Sequence, residues 1–145
     1  MITLYLSGEI HSQWRDELAS TLQQLHIEAK LLSPVTDHQA SDDCGTDILG
    51  EEPAAFWKDR KGAGINSIRT RLFIEQADVV IVRFGEKYRQ WNAAFDAGLA
   101  SAMGKPLITL HPESLDHALK EVDAAAQATA RTPEQVAQII EYIMK

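Results

Sequence analysis

Cysteine is nearly absent from this chain: Cys44 stands alone among 145 residues, which excludes an intramolecular disulfide and fits a reducing cytoplasm. Basic residues are also in deficit. The 14 Lys and Arg stand against 21 Asp and Glu, a formal charge of −7, too little positive charge to neutralise a nucleic-acid backbone. No apolar run approaches the ~20 residues of a membrane span. The opening Met1-Ile2-Thr3-Leu4-Tyr5-Leu6 has neither the basic segment nor the longer apolar stretch of a signal peptide. These deficits predict a cytoplasmic protein whose partner is a small molecule, with no nucleic acid and no membrane involved. The run Lys58-Asp59-Arg60-Lys61, near Arg69 and Arg71, is a local exception that can meet a phosphate or form a solvated loop and helix face. No repeat or linker divides the chain, and its length suits one domain, residues 1–145, with a real core.

What is present alternates between strand and helix. Residues 2–6 read as a first strand ended by Ser7-Gly8, and Ser12 is placed to cap a helix carrying Trp14, Leu18, Leu22 and Leu25 at helical spacing. Residues 28–33 make a short second strand stopped by Pro34. Between Pro34 and about Gly64 no periodicity is sustained, which predicts a long functional or mobile loop. Asn66 or Ser67 then caps a helix with Ile68, Leu72, Phe73 and Gln76 on one face. Residues 79–84, a polar loop, a helix of small residues from Trp91, and the strand from Pro106 to His111 form a βαβ unit. A helix over Glu113 to about Val122, a short edge strand within Ala124–Ala130, and a helix started by Thr132-Pro133 with Val136, Ile139, Ile140 and Ile143 buried complete the pattern. Such alternation implies an α/β fold with a doubly wound parallel sheet covered on both faces. Ligands bind such sheets beyond the carboxyl ends of the strands, where the strand order reverses.

That rule gathers the loops after Leu6, Ser33, Phe84 and His111. Asp96, expected in the first turn of the crossover helix, is either a functional carboxylate or one stabilised by the helix dipole behind an Asn92 cap. Tyr5 points its hydroxyl into the site or fills core volume. Ser7 and Gly8 fit a turn that can face a sugar or phosphate, and equally fit turn chemistry alone. Trp57 and Trp91 can stack a nucleobase or plug a subunit interface. The small residues Ala97, Gly98, Ala100, Ser101 and Ala102 read as a packing face. His11, His38, Asp42, Asp43 and Cys44 carry ligand chemistry, but their spacing matches no metal motif, so no metal or other cofactor is expected.

Three segments together carry a resemblance: Tyr5-Leu6-Ser7-Gly8, the Ala77-Asp78 before an apolar strand, and Asp96-Ala97-Gly98-Leu99-Ala100-Ser101-Ala102-Met103-Gly104-Lys105-Pro106. The chain resembles the nucleoside 2-deoxyribosyltransferase-like superfamily, and within it the YtoQ family, whose opening Tyr-Leu-Ser-Gly-Glu-Ile-His matches residues 5–11. The likeness implies a three-layer flavodoxin-like (Rossmann-like) domain with five parallel strands in the order 2-1-3-4-5, in a homo-oligomer whose subunits complete each other's sites. It implies cleavage or transfer at the N-glycosidic bond of a nucleoside or nucleotide by a carboxylate that attacks the anomeric carbon. Asp96 stands where the superfamily has that Glu, and Tyr5 where it has the tyrosine that holds it. Two further carboxylate positions fall on Gln90 and near Thr70. Glu9 and Asn92, with Ser7, Gly8, Thr70, Gln90, Trp57 and Trp91, complete the expected substrate-binding set. Glu9, Asp42, Asp43, Asp47, Glu51 and Glu86 are candidates for the missing proton donor. A non-catalytic nucleotide- or metabolite-binding module that keeps the pocket is the alternative.

Overall fold

The computed structural model describes all of residues 1–145. Five strands, β1 (Ile2–Gly8), β2 (Ala29–Leu32), β3 (Val79–Arg83), β4 (Leu107–Leu110) and β5 (Ala128–Ala130), pair in parallel in the order β2-β1-β3-β4-β5. Between and after them run α1 (Trp14–Gln24), α2 (His38–Leu49), α3 (Ala55–Gln76), α4 (Trp91–Ala102), α5 (Lys120–Ala125) and α6 (Pro133–Ile143). Alternation along the strands divides the core. Ile2, Leu4, Leu6, Val79, Ile81, Ile108 and Leu110 meet α1 and α6, through Trp14, Leu18 and Leu22 on one and Val136, Ala137 and Ile140 on the other. Tyr5, Val80, Val82 and Leu107 meet Ile74 of α3 and Ala93, Ala97 and Ala100 of α4. Each fully buried aliphatic chain contributes about 1.5–3 kcal/mol, so a one-residue slip of β1 or β3, which exchanges the two faces, is strongly disfavoured. No helix is long and apolar enough to cross a membrane.

Several sequence expectations are corrected. β1 does not stop before Ser7-Gly8: these residues pair with Val82 and Arg83. Gly8 is required there by its φ of +100°, and a Cβ at Gly8 would lie 2.0 Å from the Arg83 carbonyl oxygen. Ser12 does not cap α1; Gln13 occupies that position without a side-chain cap. The segment from 34 to 64 is not a loop but the hairpin of α2 and the first half of α3, so that α3 starts well before Asn66. Its helices bury little apolar surface and instead cross closely at Gly45 and Gly62, which is why no periodicity betrays them. Asp37 accepts a hydrogen bond from the Ala40 N–H and starts α2. Ile68 and Leu72 are exposed, and Ile74 is the buried anchor of α3. On α6, Ile143 is likewise exposed. In place of one helix after β4, a 3₁₀ turn at Glu113–Leu115 precedes the short α5. Of the small residues on α4, Ala97 and Ala100 pack, while Gly98 faces open space.

A Cβ at Gly45 would sit 2.3 Å from the Gly62 nitrogen, whereas one at Gly64, also in α3, would meet nothing within 4 Å. Gly45→Ala should therefore destabilise by about 1–3 kcal/mol in urea unfolding through overpacking. Gly64→Ala should stabilise by about 0.5–1 kcal/mol through helix propensity. Equal effects of the two would contradict the close crossing.

Candidate active site

The connection from β1 leaves toward α1, whereas that from β3 leaves toward α4 on the other face, so the loops after these adjacent strands diverge, the arrangement at which sheets of this kind take ligands in a crevice. Ser7 follows Tyr5 by two residues and so points to the α4 side. Asp96 shares the buried stripe of α4 with Ala93, Ala97 and Ala100 and is only 9 % exposed. It lies in the second turn of α4, not the first, because the helix starts at Trp91 behind a Gln90 whose side chain does not cap it. Stabilisation by the free amides of a first turn therefore does not apply to it. The Ser7 hydroxyl donates to Asp96 Oδ2 at 2.5 Å, across 89 residues of sequence.

Tyr5 is fully buried, and its hydroxyl donates to Thr70 Oγ1 of α3 at 3.4 Å while its ring meets Phe73 edge-on at 6.2 Å. The hydrogen-bond partner of Asp96 is thus Ser7 and not Tyr5. Burial pushes the Tyr5 hydroxyl up to about 12, and the nearby Asp96 charge pushes the same way. Tyr5 stays a neutral donor at every physiological pH.

Two loops frame the crevice. In the first, the Glu9 carboxylate accepts from the main-chain N–H groups of His11 and Ser12 and from the Ser12 hydroxyl. Burial opposes its ionisation, but the Ser12 hydroxyl, the two amides and the nearby Arg83 outweigh burial and hold it below the usual carboxylate range. Arg15, reaching back from α1, donates to the carbonyl oxygens of Leu6, Gly8 and Glu9. In the second loop, Gln90 Oε1 accepts from the Gly85 N–H while its Nε2 donates to the carbonyls of Lys87 and Tyr88. Both ends of the Gln90 amide are therefore spent on shaping the loop. The loops meet where the His11 and Tyr88 rings touch at a tilt of 51°, their centroids 4.7 Å apart. Tyr88 holds a left-handed φ of 66°, a conformation that a bulky residue keeps only when its surroundings impose it.

The structure thus brings Tyr5, Ser7, Gly8, Glu9, Thr70, Gln90 and Asp96 to one end of the sheet. Asn92 is exposed in the first turn of α4, with Trp91 beside it 72 % exposed under the Arg89 guanidinium. Trp57 is exposed at the start of α3, 13 residues before Thr70, about 20 Å along the helix axis, and does not join this group. The residues weighed for metal binding are dispersed: His11 is in the loop, His38 pairs with Asp42 on α2, and Cys44 packs against Ser41 and Gly62. Asp43 pairs with Lys58 and Glu86 accepts from Ser114. Sequence reasoning missed Arg15 and Arg83; a charge ending the apolar run Val79–Val82 was the available signal for the second. It also missed the cluster at the ends of β4 and β5, where Asp123 engages buried His111 and Arg131 takes Asp116 in two hydrogen bonds.

Burial raises the Asp96 carboxyl to about 6, with the Ser7 hydrogen bond opposing part of the rise. A carboxyl raised from 3.8 in the unfolded chain to about 6 in the fold contributes a destabilisation that is absent below pH 3.8, grows between the two values and is complete above pH 6. Its full size is about 3 kcal/mol. Asp96→Asn keeps an acceptor for Ser7 and removes the charge. It should raise the melting temperature above pH 6 and lose that advantage toward pH 3.8, as read by calorimetry across pH; a variant less stable at pH 7.5 would contradict this.

The chain is similar to known proteins in sequence and in fold. The family described as nucleoside 2-deoxyribosyltransferase YtoQ matches residues 5–144. Protein YtoQ of Bacillus subtilis (strain 168) is 44% identical over 142 residues, covering 98% of this chain and 96% of that one. Among solved structures, a conserved protein from Enterococcus faecalis V583 superposes with a TM-score of 0.61 at 15% identity, covering 99% of each chain. A 2-deoxyribosyltransferase from the psychrotolerant Bacillus psychrosaccharolyticus gives 0.55 at 15% identity, over 93% of this chain and 90% of that one. A CheY-like receiver domain from Methanospirillum hungatei JF-1 gives 0.53 at 12% identity, over 99% and 94%. These structural likenesses show the shared flavodoxin-like architecture, while the match in sequence over nearly the whole length shows the family: the chain belongs to the YtoQ family of nucleoside 2-deoxyribosyltransferase-like proteins.

Proposed function

We propose that this protein cleaves or transfers at the N-glycosidic bond of a small nucleoside or nucleotide, with Asp96 as the nucleophile. The observation that carries this reading is a nearly buried carboxylate with one oxygen fixed by Ser7 at the switch point of the sheet. Ser7 occupies Oδ2, which leaves Oδ1 to attack the anomeric carbon. As that bond forms, the carbon–nitrogen bond breaks and its electron pair leaves with the base, which takes a proton from solvent. Water or a second base then displaces the ester oxygen and returns the carboxylate. Thr70, held by the buried Tyr5 hydroxyl, stands on the sugar side, and the tilted His11–Tyr88 pair offers an aromatic edge to the base. Glu9 is locked by its amides and does not serve as the acid.

With a carboxyl titrating near 6, activity should rise with pH through about 6 as Asp96 ionises, since only the anion attacks. Incubation with a panel of nucleosides and nucleotides should release free base from the native protein and not from Asp96→Asn. Ser7→Ala should lower kcat by about tenfold, the worth of one charge-assisted hydrogen bond. Equal base release by native and Asp96→Asn protein, or none from either, would remove the catalytic role.

One observation favours the second reading, a binding module without turnover: Glu9 and Gln90, two polar groups of the loops that frame the crevice, are both consumed by main-chain contacts. That reading expects a ligand to raise the melting temperature without any product. Either activity fits a cytoplasmic homo-oligomer. Trp91 and Phe95, 72 % and 70 % exposed one turn apart on α4, and Ile68 and Leu72 on α3 leave apolar surface that a subunit contact would cover. Light scattering should give a mass that is a multiple of 16.1 kDa, and Trp91→Glu should reduce it to one chain; a native monomer would contradict the assembly.

A further inference from the structure

Arg83 is the last residue of β3, opposite Gly8 in register at the carboxyl end of the sheet. It follows Val79 and Ile81 on their face, beside the loop that begins at Glu9. The residue is half-buried, and its Nε is shut off from solvent with no acceptor in the chain. No carboxylate comes within ion-pairing distance of it. Glu9 is near enough to feel the charge, yet its oxygens are taken by His11 and Ser12. Leaving a buried charged donor unpaired costs more than the roughly 1–3 kcal/mol of a neutral one, and native structures rarely tolerate it without a functional reason. The neighbouring charges do not offset it. Arg15 is also cationic and is spent on main-chain carbonyls, and the loop that follows adds Lys87 and Arg89, lying over Tyr88 and Trp91. In a chain of net charge −7, Arg15, Arg83, Lys87 and Arg89 bring four cations to this end of the sheet, where Glu86 is held by Ser114.

We propose that Arg83 receives a phosphate monoester, and that the substrate in the crevice is a nucleoside monophosphate rather than a free nucleoside. This rests on the N-glycosidic reading of Asp96 for the nucleoside part alone; the anion site stands on Arg83 itself. The guanidinium presents donors in a planar fork that matches phosphate oxygens two at a time. A phosphate meets the two terminal Nη groups of Arg83, which unlike Nε are not closed off from solvent, and pins the sugar at its far end. Remote binding of that kind holds the anomeric carbon against a carboxylate that has no second acid to help it.

The test compares four probes on the native protein: inorganic phosphate, ribose 5-phosphate, a nucleoside, and its 5′-monophosphate, all at matched ionic strength in chloride. Inorganic phosphate should raise the melting temperature of native protein and leave Arg83→Gln unmoved. The monophosphate should bind at least about tenfold tighter than the nucleoside, the worth of one charge-assisted hydrogen bond, and that preference should vanish in Arg83→Gln. Should that variant not fold, the native protein gives a second reading: its Arg83 Nε–H resonance should move on adding inorganic phosphate. A resonance that stays fixed, equal affinity for nucleoside and monophosphate, or an undiminished phosphate response in Arg83→Gln would each overturn the proposal. If phosphate and ribose 5-phosphate move Arg83 while the nucleoside part adds nothing and no base is released, the anion site stands and the N-glycosidic reading falls.

Discussion

Asp96 lies on the buried side of α4, so ionising it works against the fold, while a single hydrogen bond from Ser7 works for it. Much of the surrounding structure follows from keeping that balance. Ser7 can reach Asp96 only because β1 runs on through Gly8, and β1 can run on only because Gly8 lacks a Cβ where the Arg83 carbonyl passes. The alanines around Asp96 on α4 let that helix lie close to the sheet, which is what removes the carboxylate from water. The same packing that makes the carboxyl reluctant to ionise raises its value into the range where protonated and ionised forms exchange near neutrality, a usual property of working carboxylates.

The loops bordering the crevice are built with main-chain hydrogen bonds instead of apolar contacts. Glu9 organises one through two amides and a hydroxyl, and Gln90 organises the other through one amide and two carbonyls. Both side chains therefore act as scaffolding and not as reagents. The strained Tyr88 and its tilted contact with His11 join the two loops. What remains unspent at the crevice is Asp96 Oδ1 on one side of the sheet and the Arg83 guanidinium on the other, an anion and a cation set at opposite ends of the space.

The sheet was legible because its signal is hydrophobic: the unbroken run Val79–Val82 and the short apolar stretch of residues 2–6 are local patterns that packing enforces, and the Thr132-Pro133 start marked the last helix by its cap. Even the short β5 could be placed, because the elements on either side leave few alternatives. The α2–α3 hairpin was not legible, since it is held by the approach of Gly45 to Gly62 and by exposed ion pairs, neither of which has a period. At the site, Asp96 and Ser7 were each singled out, but their contact spans 89 residues and no spacing rule reports it. Glu9 stood out as a loop carboxylate, and Gln90 as the position where the resemblance sets a carboxylate. Only the geometry reveals that backbone donors and acceptors had already claimed them.

The account turns on the environment of one side chain, and carboxyl carbon NMR reads that environment without a substrate. Titration of the native protein should place the Asp96 carboxyl near pH 6, and Ser7→Ala should move it higher, because the hydroxyl stabilises the anion. An Asp96 that titrates near 4, as an open carboxylate does, with Ser7→Ala leaving it in place, would contradict the account.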